Sequence, residues 1–165
     1  MVRWLKRIAL GLLALLVLAQ LVPYGRAHDN PAVGVEPTWP SPRVKELARR
    51  ACFDCHSHET VWPWYSHVAP ISWLVQHDVD EGRRELNFSA WDRSKEGTRD
   101  AAEELEEGEM PPAAYLPLHP DAKLSDAERK ELLDGFRAMA DQRPGGRKRR
   151  GGGGDGEHRE GDEHR

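Results

Sequence analysis

The chain has two cysteines, and both fall in one five-residue stretch, Cys52-Phe53-Asp54-Cys55-His56. No third cysteine exists to extend a disulfide framework or to complete a four-cysteine zinc site. The stretch reads C-x-x-C-H, the spacing at which two thiols reach the vinyl groups of one porphyrin. The adjacent imidazole then swings onto the iron from the proximal side. One covalent haem c is therefore expected, carried by Cys52 and Cys55 and ligated by His56. Rival uses of the pair remain open from these five residues alone. A thioredoxin-like dithiol expects a βαβ context, which the flanking sequence lacks. Half of a zinc site needs histidines from elsewhere, and a plain disulfide needs nothing more.

The rest of the middle reads as helices joined by long ordered loops. Ser41-Pro42 supplies a hydroxyl cap and a proline for the first helical position. Val44, Leu47, Ala48 and Ala51 then recur at i, i+3, i+4 and i+7, and the helix runs directly into Cys52. Residues 70–84 and 98–107 read as two further helices, the second closed by Gly108. Ser125-Asp126-Ala127-Glu128 is a capping box opening a last helix, with Leu132, Leu133, Phe136, Met139 and Ala140 as its apolar stripe. Gly135 inside that helix costs about 1 kcal/mol relative to alanine, which a close helix crossing would justify. No stretch alternates with period two for long enough to make a strand. The fold class expected is all-α, a cytochrome c-like haem domain over residues 42–142.

Outside the domain the composition changes. Arg3, Lys6 and Arg7 precede an apolar run over residues 8–22, the form of an export signal. Counted from Trp4 to Tyr24 it approaches the length of a membrane span, and Gly25-Arg26-Ala27 is a poor cleavage site. Residues 1–24 are thus expected to be one retained N-terminal transmembrane helix. The positive-inside rule places the N-terminus in the cytoplasm and the domain on the periplasmic, extracytoplasmic side of the bacterial membrane. Residues 25–41 carry Pro31, Pro37 and Pro40 without apolar periodicity and read as an extended linker lifting the domain off the membrane. Residues 143–165 contain 8 glycines and no large apolar side chain, so a disordered tail is expected there. Its Arg147-Lys148-Arg149-Arg150 run reads as a solvated charge run. Residues 42–141 hold 13 basic against 21 acidic side chains, a balance that argues against a nucleic-acid partner.

An iron with one histidine either stays open or takes a second ligand. Met110, in the proline-stiffened loop Gly108-Glu109-Met110-Pro111-Pro112, is the expected sixth ligand. Met139 fits the core stripe of the last helix instead. The histidine rivals are His67, His77 and His119, while His58 lies too close to His56 to reach the opposite face. Trp62, Trp64, Tyr65, Trp73 and Trp91 are candidates to pack on the porphyrin, since a domain of about 100 residues must build its core economically. Arg83 and Asn87, four residues apart, are candidate donors to the haem propionates, together with the Trp73 or Trp91 indole.

Several fixed words in one order resemble the bacterial haem-binding domain family of membrane-anchored, single-haem c-type cytochromes. They are Cys52-x-x-Cys55-His56-Ser57, Thr60-x-Trp62-Pro63-Trp64-Tyr65, Ala69-Pro70-x-Ser72-Trp73, Gly82-Arg83-x-x-Leu86-Asn87-Phe88-Ser89-x-Trp91 and Met110-Pro111-Pro112-x-x-Tyr115. The similarity begins near Leu21-Val22-Pro23-Tyr24-Gly25-Arg26, which matches the family's anchor exit. The resemblance implies a haem c module at the outer membrane face. The helix–CxxCH–Met–helix order also resembles class I cytochrome c folds, whose first and last helices cross closely.

The function expected is one-electron transfer with a redox partner protein by a haem-binding module that is not itself an enzyme. A partner with a basic docking patch would suit the acidic domain. The alternatives are a haem-based sensor or peroxidase-like enzyme with an open or labile sixth site, and a zinc or dithiol protein.

Overall fold

All regular structure in the described residues, 1–94 and 97–141 of a computed structural model, is helical. Helix α1 (Val2–Ala19) buries none of its residues. Arg3, Lys6 and Arg7 occupy its first turns, and the uncharged remainder spans about 18 Å at 1.5 Å per residue. No helix among the described residues is long and apolar enough to cross a membrane. The transmembrane helix expected over residues 1–24 is thus met by a shorter one with a basic end, because the helix stops at Ala19 and the chain turns away over Gln20 and Leu21.

Helix α2 (Pro42–Ala51) begins as its sequence requires, with Ser41 Oγ accepting from Val44 N at 3.1 Å and proline in the first turn. Its apolar stripe, Val44, Leu47 and Ala48, is buried. One residue later the chain re-enters a single turn, α3 (Phe53–His56). Two longer helices follow, α4 (Ile71–Glu85) and, after the four-residue α5 (Trp91–Ser94), α6 (Gly97–Glu107). Gly108 at φ 82° ends α6 in the left-handed conformation that glycine adopts freely. Helix α7 (Asp126–Asp141) opens with the capping box, Glu128 N donating to Ser125 Oγ and Ser125 N donating to Glu128 Oε2.

The apolar core lies where α2, α6 and α7 meet, with Phe53, Leu86 and Phe88 closing it from the cysteine-motif side. Gly135 marks the crossing of α2 and α7. A Cβ there would stand 2.6 Å from Val44 Cγ1, so the absence of a side chain is what lets the two helices touch. Met139 is buried in this core, as its place in the stripe implies.

The segment expected to lift the domain off a membrane is extended but lies on the domain as a strap. Gly25, at φ 76°, passes so close to α4 that a Cβ would meet the Ser72 carbonyl oxygen at 2.4 Å. Asn30 Nδ2 donates to Thr60 O, Gly34 N donates to Ser89 O, and Trp91 N donates to Val35 O. Trp39 packs on Phe53 and Phe88. A segment without apolar periodicity can be held by backbone hydrogen bonds, which composition does not display. The tail expected over residues 143–165 lies outside the described residues.

Candidate functional site

The cysteine motif is a tight turn braced from three sides. Cys55 N and His56 N both donate to Cys52 O, at 3.2 and 2.9 Å. Phe53 turns inward and stacks on Phe88, their ring centroids 5.4 Å apart. Ser57 Oγ, fully buried, donates to Phe53 O at 2.8 Å and closes the turn. Helix α4 then presses on the motif through Gly82. A Cβ at Gly82 would lie 2.6 Å from the Cys55 carbonyl oxygen.

That close approach fixes the histidine. His56 Nδ1 lies 2.9 Å from Gly82 O and 3.1 Å from Leu86 O. Both neighbours can only accept, so Nδ1 carries the hydrogen and Nε2 keeps its lone pair. Burial holds the His56 pKa below its ordinary value, against the two carbonyls, which act in the opposite sense. The ring is therefore a neutral imidazole with its tautomer set, the state a metal ligand requires.

Burial pushes both thiols up to about 12, with Cys55 raising Cys52, and Asp78 and Asp54 raising Cys55. Thiols in this state are protonated at neutral pH. Among the described residues no group of three or more His, Cys, Asp or Glu is arranged to hold a metal ion.

Asp54, between the two cysteines, ties the motif to two distant loops. Its Oδ1 accepts from Val61 N at 2.9 Å, and its Oδ2 accepts from the Tyr115 hydroxyl at 2.6 Å. The Tyr115 ring stacks on His119 at 3.8 Å between centroids, and His119 Nε2 lies 2.6 Å from the Tyr65 hydroxyl. Burial, then the Asp54 carboxylate, holds the Tyr115 phenol above its ordinary range, and Tyr65 is raised the same way. Sequence reasoning passed over Asp54 and Tyr115, although Tyr115 closes the Met110-Pro111-Pro112-x-x-Tyr115 word.

Met110 follows α6, with Glu109 N and Met110 N both directed at Glu104 O. Met110 as a whole is 36% exposed, so the protein leaves the residue partly uncovered. Trp64, Ile71, Leu74 and Leu118 are exposed as well, Trp64 to 79%. On α4 the buried Ser72 Oγ, Trp73 Nε1 and Gln76 Oε1 have no hydrogen-bond partner. A ligand with a broad apolar body and carboxylate arms suits such uncovered apolar surface and two unpartnered donors, the Ser72 hydroxyl and the Trp73 indole N–H. With a neutral Nε2 and two thiols on one turn, the residues present fit a haem.

The other expected site residues divide. Trp62 stacks on His28 at 4.6 Å and donates Nε1–H to Asn30 Oδ1, which binds it to the strap. Arg83 donates to Ser57 O, Asp29 O, Asn30 Oδ1 and Thr60 Oγ1 at 2.7 to 2.9 Å. Four of its five N–H groups thus clamp the strap to the cysteine motif, a role different from the propionate donor expected of it. Asn87 is buried, donating to His58 Nε2 and accepting from Ser89 N. His58 Nδ1 in turn donates to Ala32 O. Trp91 packs on Phe88 at the edge of the apolar core. Trp73 keeps a free indole N–H, while Tyr65 enters the Asp54 network. His67 and His77 are exposed, with His67 edge-on to His28.

Residues 14–138 match the family model described as haem-binding domain. No curated protein and no solved structure matches the chain. The matched span holds the cysteine motif, the Gly82 contact that seats His56 and the Met110 loop, and the chain belongs to the haem-binding domain family.

Proposed function

We propose that this haem-binding chain is a single-haem c-type electron carrier, loaded through Cys52 and Cys55 and ligated by His56 and Met110. The observation that carries the reading is His56, whose Nδ1–H is donated to Gly82 O and Leu86 O and whose Nε2 is left free. When bound, haem supplies a one-electron ferric/ferrous couple. His56 is held neutral and pre-oriented, so little rearrangement is asked of the proximal side. Its carbonyl partners raise the basicity of the ring. Met110 would supply the second ligand from a loop whose two prolines reduce the entropy lost on ligation. A haem held by both residues would exchange electrons and leave no vacancy for a substrate. Among the described residues no group of three or more His, Cys, Asp or Glu completes a zinc site around the pair, which speaks against the zinc alternative.

The same reading puts the domain at the outer face of the bacterial cytoplasmic membrane. Helix α1 supports it with a basic start and an apolar remainder of which nothing is buried. Membrane association is tested by cell fractionation, with the protein in the membrane fraction expected and a soluble form with a mature N-terminus near His28 counting against it.

The decisive experiment is expression with the cytochrome c maturation system, followed by a visible spectrum and acid–acetone extraction. Sharp low-spin bands with haem retained by the polypeptide are expected. Freely extracted haem removes the covalent claim. High-spin bands with ready carbon monoxide binding favour the sensor or peroxidase-like alternative.

A further inference from the structure

Met110 is exposed, and the two amide bonds nearest to it lead back to Glu104 on α6 rather than toward the cysteine motif. Something else must set where its loop lies relative to His56. The Tyr115 hydroxyl donates to Asp54 Oδ2 at 2.6 Å, joining positions 61 residues apart. Asp54 stands between Cys52 and Cys55, on the same turn as His56, and its other oxygen is held by Val61 N. The acceptor is thus fixed in the frame of the proximal ligand. On the loop side, His119 stacks flat on Tyr115 at 3.8 Å with 9° between the rings, so the phenol has little freedom to swing away.

We propose that the Asp54–Tyr115 hydrogen bond is a latch that positions Met110 as sixth ligand, making Tyr115 and Asp54 positioning residues for the distal side. The inference rests on the reading of Met110 as that ligand. A thioether binds iron weakly, so the loop must be held by contacts of its own. A hydrogen bond to a charged acceptor is among the stronger ones in a protein. Losing it should shift the balance between ligated and released Met110 by about ten- to hundredfold.

The test uses full-length, haem-loaded protein. In the wild type the oxidised form should show the weak far-red sulfur-to-iron charge-transfer band and bind carbon monoxide poorly when reduced. Tyr115→Phe keeps the ring and its stack on His119 while deleting the hydroxyl. It should weaken or abolish the band, lower the potential and raise carbon monoxide affinity by about ten- to hundredfold, with covalent haem unchanged. Asp54→Asn weakens the same bond from the other end and must reproduce the direction of these changes. It also serves if Tyr115→Phe fails to fold. The double variant should add little to the stronger single one, as expected of two partners in one bond. If the wild type lacks the band, the sixth-ligand reading fails and the latch with it. If the wild type has the band and both single variants keep it, with unaltered potential and carbon monoxide binding, the latch alone is overturned.

Discussion

Gly82→Ala tests whether the close seat of α4 on the cysteine motif is what holds the proximal histidine. The added Cβ would lie 2.6 Å from Cys55 O and 3.0 Å from Cys55 C and Cβ. Two of these atoms are backbone in a turn already closed on Cys52 O, so no flexible side chain can give way. Helix α4 must move off α3 instead. Overpacking of this kind costs about 1–3 kcal/mol, while replacing a mid-helix glycine by alanine returns about 1 kcal/mol. The net is a loss of up to about 2 kcal/mol, and in a domain of about 100 residues each kcal/mol moves Tm by roughly 4–8 °C. Thermal unfolding of the loaded protein should therefore show Tm lower by up to about 15 °C.

The same displacement draws Gly82 O away from His56 Nδ1, now at 2.9 Å. A ring that donates less to a carbonyl is a weaker base, which disfavours the ferric state, so the reduction potential should rise. A net hydrogen bond of about 1 kcal/mol sets the ceiling at some tens of millivolts for one electron. Spectroelectrochemical titration of wild type and variant measures it, and Gly11→Ala, with nothing within 4 Å of its added Cβ, is the control. An unchanged Tm together with an unchanged potential would show that α4 slides freely over α3, and the argument from its close seat would fall.

Three further outcomes follow from other contacts. Gly135→Ala should lower Tm through its Cβ contact with Val44 Cγ1 at 2.6 Å, and adding Val44→Ala should recover part of the loss by removing that methyl. Arg83→Leu, which deletes two hydrogen bonds to the strap at Asp29 and Asn30 and two to Ser57 and Thr60 just past the cysteine motif, should cost about 3 kcal/mol in chemical denaturation and expose residues 26–38 to limited proteolysis. Glu128, bonded to Arg50, Ser125 and Arg43, has its carboxyl held down at about 2 against an ordinary 4.5. Its contribution is complete above pH 4.5 and is lost as pH falls toward 2, so Glu128→Gln should flatten the fall of Tm with pH in that window.

What the sequence disclosed follows from how local each signal is. The hydroxyl of Ser41, the capping box at Ser125 and Glu128, and the stripes of α2 and α7 act within one or two helical turns, and they place those helices. Gly135 was legible for a related reason, because a glycine in a strong helical pattern asks for a close neighbour. His56 is tethered to Cys55, so its role is a matter of adjacency. The carbonyls that set its tautomer lie 26 and 30 residues away and carry no side-chain signature. Arg83 was read as a propionate donor because a cation near a haem motif suggests one; its bonds to Asp29 O and Asn30 Oδ1 on the strap and to Ser57 O leave no signature in composition. Trp91 was read as a haem-packing ring because tryptophans crowd that stretch, and it packs on Phe88 at the edge of the apolar core.

A physical division separates the two sides of the domain. The apolar core is built from α2, α6, α7 and the Leu86–Phe88 stretch, where burial by area rewards periodic side chains. Helix α4 is different. Its buried residues are Ser72, Val79 and Gly82, so it has little apolar area to offer the protein. Hydrogen bonds hold that side instead, running through Thr60, which donates to Asp54 O and accepts from Arg83 while its carbonyl accepts from Asn30. Such bonds depend on geometry and leave no repeat in the sequence. Meanwhile Ile71 and Leu74 on α4 are exposed, beside unpartnered Ser72 and Trp73 atoms. A helix that withholds apolar side chains from the core, seats a glycine on the cysteine turn and presents leucine and isoleucine outward is built to pack on something other than its own chain. On the function proposed above, that partner is the haem that Cys52 and Cys55 would carry.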